Sequence, residues 1–416
     1  MFPDLFSRDA HHPQRGESLS EAFLNISSVR DILPEQHRAH FDELRGGILA
    51  FCKEFEIPVE TLRNKEAFGA ELTSKRIPQE RMTEAVLLFA RLEYLVTNKE
   101  PLKVESEALK EVEPLYHLKE QYTSQVSLLE RVGILKEGVI VGIDGHEYPI
   151  PTLEQIASRL LECEPELHTK RDQGFTKLLL VPFGMSLDAL IDTFRQFLLT
   201  YKQTHKDFDL ATIEPLPIWK EGYQGADLGD SPKLVYFPQS FDKHDHQGQT
   251  KAQILEEQAS NTNFSFPGWK IHLFQSSNSS DSKSLISSIP REGRGYLRGE
   301  EFPRPDLETG QTPTQYLSLL QKAKDDPGSP YHGESGLTPE DWILAFMTHL
   351  AETGQPLDNY YQNDTNNFTF LIGAFFQFFA LVPVVYWING ARRVGLDRST
   401  FVMHNKSYGV RTSVVV

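Results

Sequence analysis

The amino-acid sequence predicts an α+β protein, in which a helical domain is followed by a domain of mixed helices and strands. Its 416 residues are enough for two or three domains that each bury a core. Up to about residue 137, apolar residues recur at the spacing of amphipathic helices. From Gly138 onward, short apolar runs typical of strands alternate with further helical segments. The change in period places a domain boundary between residues 137 and 138.

The first domain, residues 1–137, is predicted to be helical. A first long helix covers Pro34 to Ile57, and its apolar side chains share one face: Phe41, Leu44, Ile48, Leu49, Cys52 and Phe55. The segments Pro78 to Thr97 and Val104 to Leu129 repeat this pattern, with Pro, Asp and Asn between them. We therefore expect three main helices before the boundary.

A β-hairpin is predicted where the second domain, residues 138–416, begins. The stretch EGVIVGIDGHEYPI has strand-type residues on both sides of Asp144-Gly145. An Asp-Gly pair accepts the positive φ values that a tight hairpin turn needs. We therefore expect two short antiparallel strands within Gly138 to Ile150.

Further strands and helices follow in alternation. After a helix that begins at Pro151-Thr152, GFTKLLLVPFG predicts a buried strand over Phe175 to Val181, followed by the helix SLDALIDTFRQFLLTYK. KLVYFP and WKIHLF indicate two more strands, and between them TKAQILEEQAS indicates a short helix with Thr250 as its N-cap. The ending GVRTSVVV alternates as a terminal strand does.

The clearest helix signal in the chain is LTPEDWILAFMTHLAETG. Thr338 is the expected N-cap, and Gly354 the expected end. Glu340 and Asp341 stand in the first turn, where acidic side chains favour the positive end of the helix dipole. The apolar face should pack on a sheet and comprises Trp342, Phe346 and Leu350.

A long surface insertion is predicted over residues 275–313. This stretch is rich in Ser, Gly, Pro and Arg, which is typical of loops. Within it, PREGRGYLRG has the glycines and arginines of a phosphate-binding loop but follows no clear strand and begins no clear helix. The pattern favours a surface loop.

The net charge of −16 argues against general nucleic-acid binding, which needs a basic face. The charge is uneven, however, because from Phe368 to the end Asp397 is the only acidic residue. The basic residues of this segment are Arg392, Arg393, Arg398, Lys406 and Arg411. A basic, aromatic segment on an acidic body indicates either a recognition surface or the packing of two complementary parts of one protein.

No catalytic residue, metal site or cofactor is predicted. The two cysteines, Cys52 and Cys163, are far apart in the sequence, which excludes a disulfide scaffold and a cysteine-based zinc site. His244 and His246 could supply two metal ligands, but their polar surroundings favour a solvated turn. No P-loop, G-x-S-x-G or H-E-x-x-H motif occurs.

The stretch FLIGAFFQFFALVPVVYWI, Phe370 to Ile388, contains no charged residue and is long enough for a membrane span. Gly373, Gln377 and Pro383 interrupt it, and its aromatic and β-branched residues fit short strands better than a lipid-facing helix. A tail-anchored membrane protein stays as an alternative. Because the N-terminus lacks the pattern of a secretory signal, the default location is the cytoplasm.

The series LIGAFF, VP, YW, ARRVGLDRS and YGVRTSVVV resembles the C-terminal variable region of diversity-generating retroelement target proteins. GFTKLLLVPFGM, KLVYFP, HQGQTKAQILEEQ, TPEDWILAFMTHL and GVRT strengthen the resemblance, which covers about the last two-thirds of the chain. It implies a C-type-lectin-like fold, related to the formylglycine-generating enzymes, for residues 138–416. It also implies a ligand-binding display protein without enzymatic activity, whose partner is a protein or surface ligand of no fixed identity.

In such systems, a retroelement copies a template with errors at adenines and so rewrites selected codons of the target. The resemblance implies a variable ligand-binding region over residues 375–410. Residue types that errors at template adenines can produce are found in this region at Phe378, Phe379, Val384, Val385, Tyr386, Ile388, Asn389, Gly390, Gly395, Asp397, His404, Asn405 and Tyr408. Gln377 and Trp387 are not reachable and would be framework.

The sequence departs from two related families. Formylglycine-generating enzymes use a cysteine pair in the C-terminal part of the domain, and this chain has no cysteine after Cys163. Sugar-binding C-type lectins hold calcium through E-P-N and W-N-D motifs, whereas Trp387 is followed here by Ile388 and Asn389. An enzyme of the formylglycine-generating type, or one that uses His and Asp residues of the 275–313 insertion, is the alternative function.

Overall fold

A computed structural model describes residues 26–63, 68, 71–72, 74–75, 77–99, 106–260, 266–277, 286–290, 304–358 and 368–416. The chain divides into two compact units, Met1–Val104 and Glu105–Val416. Helices and strands are both present, which confirms the α+β class.

The first unit is helical where it is described. Its helices are α1 (Ile26–Asp31), α2 (Glu35–Glu54) and α3 (Gln79–Asn98), with a 3-10 turn at Val59–Arg63. The predicted apolar face of α2 is confirmed, since Phe41, Ile48 and Cys52 are fully buried. These side chains form a core with Leu92 and Leu95 of α3.

The predicted domain boundary at 137/138 is wrong, because the division falls after Val104. The predicted helix Val104 to Leu129 is in fact two helices, α4 (Glu107–Tyr116) and α5 (Leu118–Arg131), which belong to the second unit. They are separated at His117, whose φ of 49° is left-handed. Helical period alone does not show which domain a helix packs against.

Helix α5 is tied to the second unit through β3 (Phe175–Val181). The side-chain amide of Gln121 donates to the Thr176 carbonyl at 3.0 Å, and its oxygen accepts from the Leu178 N–H at 2.9 Å. Gln125 makes the same pair of bonds to Leu178 and Leu180. Both amides are buried, so they satisfy the backbone of an edge strand that would otherwise be unpaired.

The second unit continues with seven α-helices and one 3-10 turn, interleaved with strands, in its described part. The helices after α5 are α6 (Leu153–Glu162), α7 (Glu164–Asp172), α8 (Leu187–Thr204), α9 (Lys220–Tyr223), α10 (Lys251–Ser260), a 3-10 turn (Pro305–Leu307), α11 (Pro313–Lys324) and α12 (Pro339–Thr353). The other strands are β1 (Val139–Val141), β2 (Glu147–Pro149), β4 (Leu234–Tyr236), β5 (Lys270–Gln275), β6 (Glu334–Gly336), β7 (Phe368–Phe370), β8 (Ala374–Phe376), β9 (Leu381–Ile388), β10 (Arg393–Thr400), β11 (Tyr408–Val410) and β12 (Thr412–Val415).

Three sheets are formed by the described strands. The predicted hairpin is confirmed as β1 and β2, with Gly145 at φ 80°. A four-stranded sheet has the order β3-β5-β12-β6, so the predicted terminal strand is confirmed in its centre. A six-stranded sheet has the order β11-β7-β9-β8-β4, and β10 pairs with β9.

The six-stranded sheet is covered on both faces. Side chains of one face, including Val385 and Trp387, join the main core with α8 and α12. Side chains of the other face, including Val382 and Val384, pack in a smaller core with Tyr316 of α11. A strand that is buried on both faces has apolar residues at successive positions of its sequence. This explains why Phe370 to Ile388 contains no charged residue.

The stretch Phe370 to Ile388 contains the end of β7, all of β8 and all of β9. In the part of the chain that the structure describes, no helix combines the length and the apolar character that a membrane crossing requires. The helix that the alternative of a membrane span expects over these residues is not formed, because the stretch is divided among strands.

Helix α12 has the predicted ends but not the predicted single apolar face. Thr338 and Asp341 form a reciprocal capping box, and Gly354 ends the helix at φ 73°. However, every residue from Pro339 to Leu350 is buried. The acids Glu340 and Asp341 thus lie inside the protein.

The predicted surface insertion at 275–313 is partly internal. Ile286 and Ile289 are buried, and Ser276 pairs with Ile286 in an isolated β-bridge. Near its other end, Leu307 packs into the smaller core with Val410. Most of PREGRGYLRG lies outside the described residues. The few apolar residues of this polar segment therefore anchor its described parts.

Candidate functional site

The β9–β10 hairpin carries most of the residues predicted to vary. Register pairs Ile388 with Arg393 and Leu381 with Thr400, so the two strands are matched along their whole length. Side chains alternate between the two faces of a strand. Val385 and Trp387 therefore point to the main core, whereas Tyr386 and Ile388 are on the opposite face with the smaller core.

An aromatic row crosses four strands on that second face. In register, Tyr408 of β11 pairs with Phe368 of β7, and Phe368 pairs with Tyr386 of β9. Gly395 of β10 follows as the partner of Tyr386. The rings of Phe368 and Tyr408 are stacked at 4.4 Å, and those of Phe368 and Tyr386 lie 4.7 Å apart. All three aromatic side chains are partly exposed.

Tyr386 occupies the space above Gly395. A Cβ atom on Gly395 would lie 2.2 Å from two ring carbons of Tyr386. Asp397, two residues further along β10, is on the same face and partly exposed. Burial and the charge of Asp397 raise the pKa of both Tyr386 and Tyr408. The face thus offers three aromatic rings beside one carboxylate.

The free edge of β10 is occupied by a preceding segment of the chain, residues 211–219. The N–H groups of Val394 and Leu396 donate to the carbonyls of Pro215 and Pro217 at 3.1 and 3.0 Å. The Trp219 N–H donates to Leu396 at 2.9 Å. An edge strand paired in this way holds the aromatic row without exposing unpaired backbone.

The residues predicted to vary fall into three groups by exposure. Exposed ones are Phe378, Asn389, Gly390, His404 and Asn405; partly exposed ones are Phe379, Tyr386, Ile388, Asp397 and Tyr408. Val384, Val385 and Gly395 are buried. The prediction that these last three contact a ligand is wrong, since each is covered by a core or by Tyr386. Their residue types match the expected set, but residue type does not report burial.

The exposed residues lie at two ends of the hairpin. Asn389 and Gly390 form the β9–β10 turn, whereas Phe378, His404 and Asn405 lie in the turns beyond the other ends of these strands. Eight residues of extended strand separate the two ends by about 25 Å. One small ligand cannot contact both, so the aromatic row between them is the natural centre of a binding surface.

At least four of the five basic residues of the C-terminal segment have acidic partners in the same chain. Arg392 pairs with Asp209 at 3.0 Å, and Arg393 pairs with Glu214 at 3.4 Å. Arg411 makes a buried pair with Asp358, to which its Nε donates at 2.7 Å. These contacts favour complementary packing over a free basic surface.

The histidine pair His244 and His246 belongs to a hydrogen-bonded loop. The His246 ring lies 3.1 Å from the Gln377 side chain through Nε2 and accepts the Gly248 N–H through Nδ1. Within the described ranges, no group of three or more His, Cys, Asp or Glu side chains could hold a metal ion. The geometry therefore provides no third ligand beside this pair.

Sequence reasoning missed a buried ionic cluster around the start of α12. The Lys251 ammonium contacts Asp227 and lies 2.8 Å from Glu340, with all three side chains fully buried. The Tyr236 hydroxyl also donates to Glu340 at 2.7 Å. Burial acts to raise the pKa of Glu340, but Lys251 and Lys270 outweigh it and hold this pKa below its ordinary value. The carboxylate is thus charged inside the core.

The cluster continues through the next residue of α12. Asp341 lies 3.1 Å from His272 and 3.8 Å from the Lys270 ammonium. Burial opposes its charge, yet Lys270 and His272 keep the pKa of Asp341 well below its ordinary value. The sequence signal at this point was TPED, in which Glu340 and Asp341 favour a helix start whether that start is exposed or buried. Only their partners, which are distant in the sequence, show that the two carboxylates are buried.

No family model matches the chain, no curated protein matches its sequence, and no solved structure matches its fold.

Proposed function

We propose that this chain is a non-enzymatic ligand-binding protein of the retroelement-diversified type, and that its second unit is C-type-lectin-like. The observation that carries the proposal is the partly exposed aromatic row of Tyr386, Phe368 and Tyr408 beside Asp397. Aromatic side chains bring a large contact area at low entropic cost, as they do in antibody loops.

The setting of the row also supports display. Its strands are fixed by a core on the other face and by the 211–219 segment at the edge. A rigid scaffold under exposed side chains lets those side chains change while the backbone holds its shape. The binding surface we propose comprises Tyr386, Ile388, Asp397 and Tyr408, with Phe378, Phe379, Asn389, Gly390, His404 and Asn405 at its margins.

The alternative of a formylglycine-generating type of enzyme gains no support from the cysteines. Cys52 lies in the first unit and Cys163 in the second, and both are free thiols. Burial raises the pKa of each thiol, which disfavours the reactive thiolate. We propose binding rather than oxidation.

A display library tests the proposal without knowledge of the natural ligand. Randomising Tyr386, Asp397 and Tyr408 together should give folded variants, some of which bind a chosen probe such as lysozyme. A control library at Val384, Val385 and Gly395 should give few folded members. Equal success or equal failure of the two libraries contradicts the proposal.

The DNA beside the gene gives a second test. A reverse transcriptase gene should lie nearby, with a near-identical repeat of the 3′ end of the coding sequence. Differences between the repeat and the gene should fall at template adenines in codons for the exposed residues, and the Trp387 and Val385 codons should match. A locus without such a repeat rules out diversification while leaving binding open to the library test.

A further inference from the structure

A cavity of about 320 Å³ lies beside the start of β5, apart from the aromatic row. Three aromatic residues form much of its wall, namely Phe237, Phe266 and Trp269. Lys270 and Arg159 also line it, and the acidic side chain in the lining is Glu257, which is exposed and accepts a hydrogen bond from Gln249 at 2.6 Å. The lining therefore combines apolar walls with two basic residues, and the Lys270 ammonium itself is buried behind the wall.

The Lys270 ammonium is buried without a hydrogen-bond acceptor among the described residues. Its side chain is only 7% exposed, and its nearest carboxylate oxygen, on Asp341, is 3.8 Å away. The ammonium instead lies over the rings of Phe183 at 3.9 Å and Phe237 at 4.5 Å. An ammonium with cation–π contacts and one long ion pair but no hydrogen bond leaves donor capacity unused, which is costly inside a protein.

Phe237 covers the ammonium from the cavity side in a strained conformation. Its φ is 54°, in the left-handed region that bulky side chains rarely adopt. The strain is held by its N–H, which donates to the Gly373 carbonyl at 2.9 Å. Strained residues cluster at ligand sites, where surrounding structure keeps them in place. Rotation of this side chain would join the ammonium to the cavity.

Arg159 adds a second donor. Its Nε is buried without a hydrogen-bond partner among the described residues, while its Nη1 lies 3.4 Å from Glu162. Elsewhere in the wall, Trp269 Nε1 donates to the Tyr148 carbonyl and the Gln258 side-chain oxygen accepts from the Gly268 N–H. The two buried side-chain donors of the lining that lack a partner among the described residues are thus both cationic.

We propose that this cavity binds a small organic anion with an apolar, preferably aromatic, body. The body would pack between Trp269 and Phe266, and the anionic group would accept hydrogen bonds from Lys270 once Phe237 turns aside. Arg159 would contribute a weaker attraction, because its side chain is 38% exposed. This site is independent of the proposed ligand-binding face.

Phenylacetate and its neutral analogue phenylacetamide are suitable probes, with tryptophan fluorescence as the readout. Phenylacetate should bind at least about tenfold more tightly, since a charge-assisted hydrogen bond contributes that much. Lys270→Met, which keeps the apolar stem, should abolish the difference, whereas Lys270→Arg should retain part of it. The exposed Lys206→Met is the matched control and should behave as wild type. Trp269→Phe should remove most of the fluorescence response.

Arg159→Gln gives a second measurement on a partly exposed residue, in case Lys270→Met fails to fold. It should reduce the preference for phenylacetate severalfold. Equal binding of the two probes to the wild-type protein overturns the proposal. A preference for phenylacetate that is unchanged in both single variants, Arg159→Gln and Lys270→Met, also overturns it. If Lys270→Met does not fold, an unchanged preference in Arg159→Gln alone overturns it.

Discussion

The ring of Tyr386 lies across Gly395 on the neighbouring strand, so close that a Cβ at residue 395 would meet ring carbons at 2.2 Å. The two residues are also direct register partners in β9 and β10. Phe368 holds the ring from the other side at 4.7 Å. Residue 395 therefore sets where the central aromatic side chain of the proposed binding face can lie.

A double-mutant cycle should show this coupling. Gly395→Ala should cost about 1–3 kcal/mol of unfolding free energy in the wild type, because the Tyr386 ring must move. In a Tyr386→Ala background the same change should cost well under about 1 kcal/mol, which gives a coupling of about 0.5–3 kcal/mol. Denaturant unfolding measures all four proteins.

Gly390→Ala is the control for that cycle, since no heavy atom lies within 4 Å of its Cβ position. Its effect should add to that of Tyr386→Ala within about 0.5 kcal/mol. Additive behaviour of Gly395→Ala as well would show that the ring moves freely, and residue 395 would then not position it.

Replacement by serine should change the stability of the protein little at Phe378 and strongly at Val385. Phe378 is 45% exposed, so Phe378→Ser should change the free energy of unfolding by less than about 1 kcal/mol. Val385 is fully buried, and Val385→Ser should cost about 2–4 kcal/mol by leaving a cavity and an unpaired hydroxyl.

Trp387→Ala is the benchmark for that comparison at about 3–5 kcal/mol, since Trp387 packs against Phe208 in the main core. Urea unfolding of the three variants gives the order. If Phe378→Ser costs as much as Trp387→Ala, Phe378 belongs to the hydrophobic core. That result would contradict its place at the margin of the proposed binding surface.

Local signals in the sequence were sufficient for individual elements. Thr338 and Gly354 end α12 as predicted, and Asp144-Gly145 turns the first hairpin. Each signal depends on a few adjacent residues, because caps and tight turns are satisfied within about four positions of the chain.

Pairing across the chain was not readable from the sequence. β11 and β12 are separated by Arg411 alone, yet they belong to different sheets. Gln121 completes the edge of β3 from a helix more than fifty residues earlier, with a separation of 57 positions to Leu178. Such partners are set by long-range packing, which leaves no periodic trace in a single sequence.

The candidate site was predicted as a segment but not residue by residue. Residue types that match the expected variable set occur on both faces of β9, so Val385 and Tyr386 were indistinguishable. Strand alternation places the two side chains on opposite faces of β9, but both faces are packed against a core. The sequence does not show that the smaller core leaves Tyr386 partly exposed.

Gly409→Ala should destabilise the protein through lack of space. The Cβ would lie 2.5 Å from Cγ2 of Ile289 and 3.0 Å from Cγ2 of Thr309, while the φ of Gly409 is not left-handed. The expected cost is about 1–3 kcal/mol. Ile289→Ala removes the clashing methyl group but also leaves a cavity, so the double variant should lose less stability in thermal unfolding than the sum of the two single changes. Fully additive losses would place the strain in the backbone.

Chelation should leave the melting temperature unchanged. No described group of side chains can hold a metal ion, so metal removal should not alter the folded state. Thermal unfolding with and without EDTA measures this, with added calcium as the reverse condition. A fall of several degrees in EDTA would reinstate a site at His244 and His246 or at a lectin-type position.

The last prediction concerns His349, a buried side chain of α12 that accepts a hydrogen bond from the Ile286 N–H. Burial, aided by Arg411 and Lys177 and opposed by Asp358, lowers its pKa from 6.5 to about 3. The unfolded state therefore binds a proton that the folded state does not, and stability falls as pH drops below 6.5. The slope contributed by this histidine should approach about 1.4 kcal/mol per pH unit between about pH 6 and pH 5.

His349→Gln keeps an acceptor for Ile286 and should remove that part of the slope, which urea unfolding at several pH values measures. Because the carboxylates with lowered pKa affect stability only at more acidic pH, identical slopes for the two proteins in this window would show that His349 is protonated within the fold.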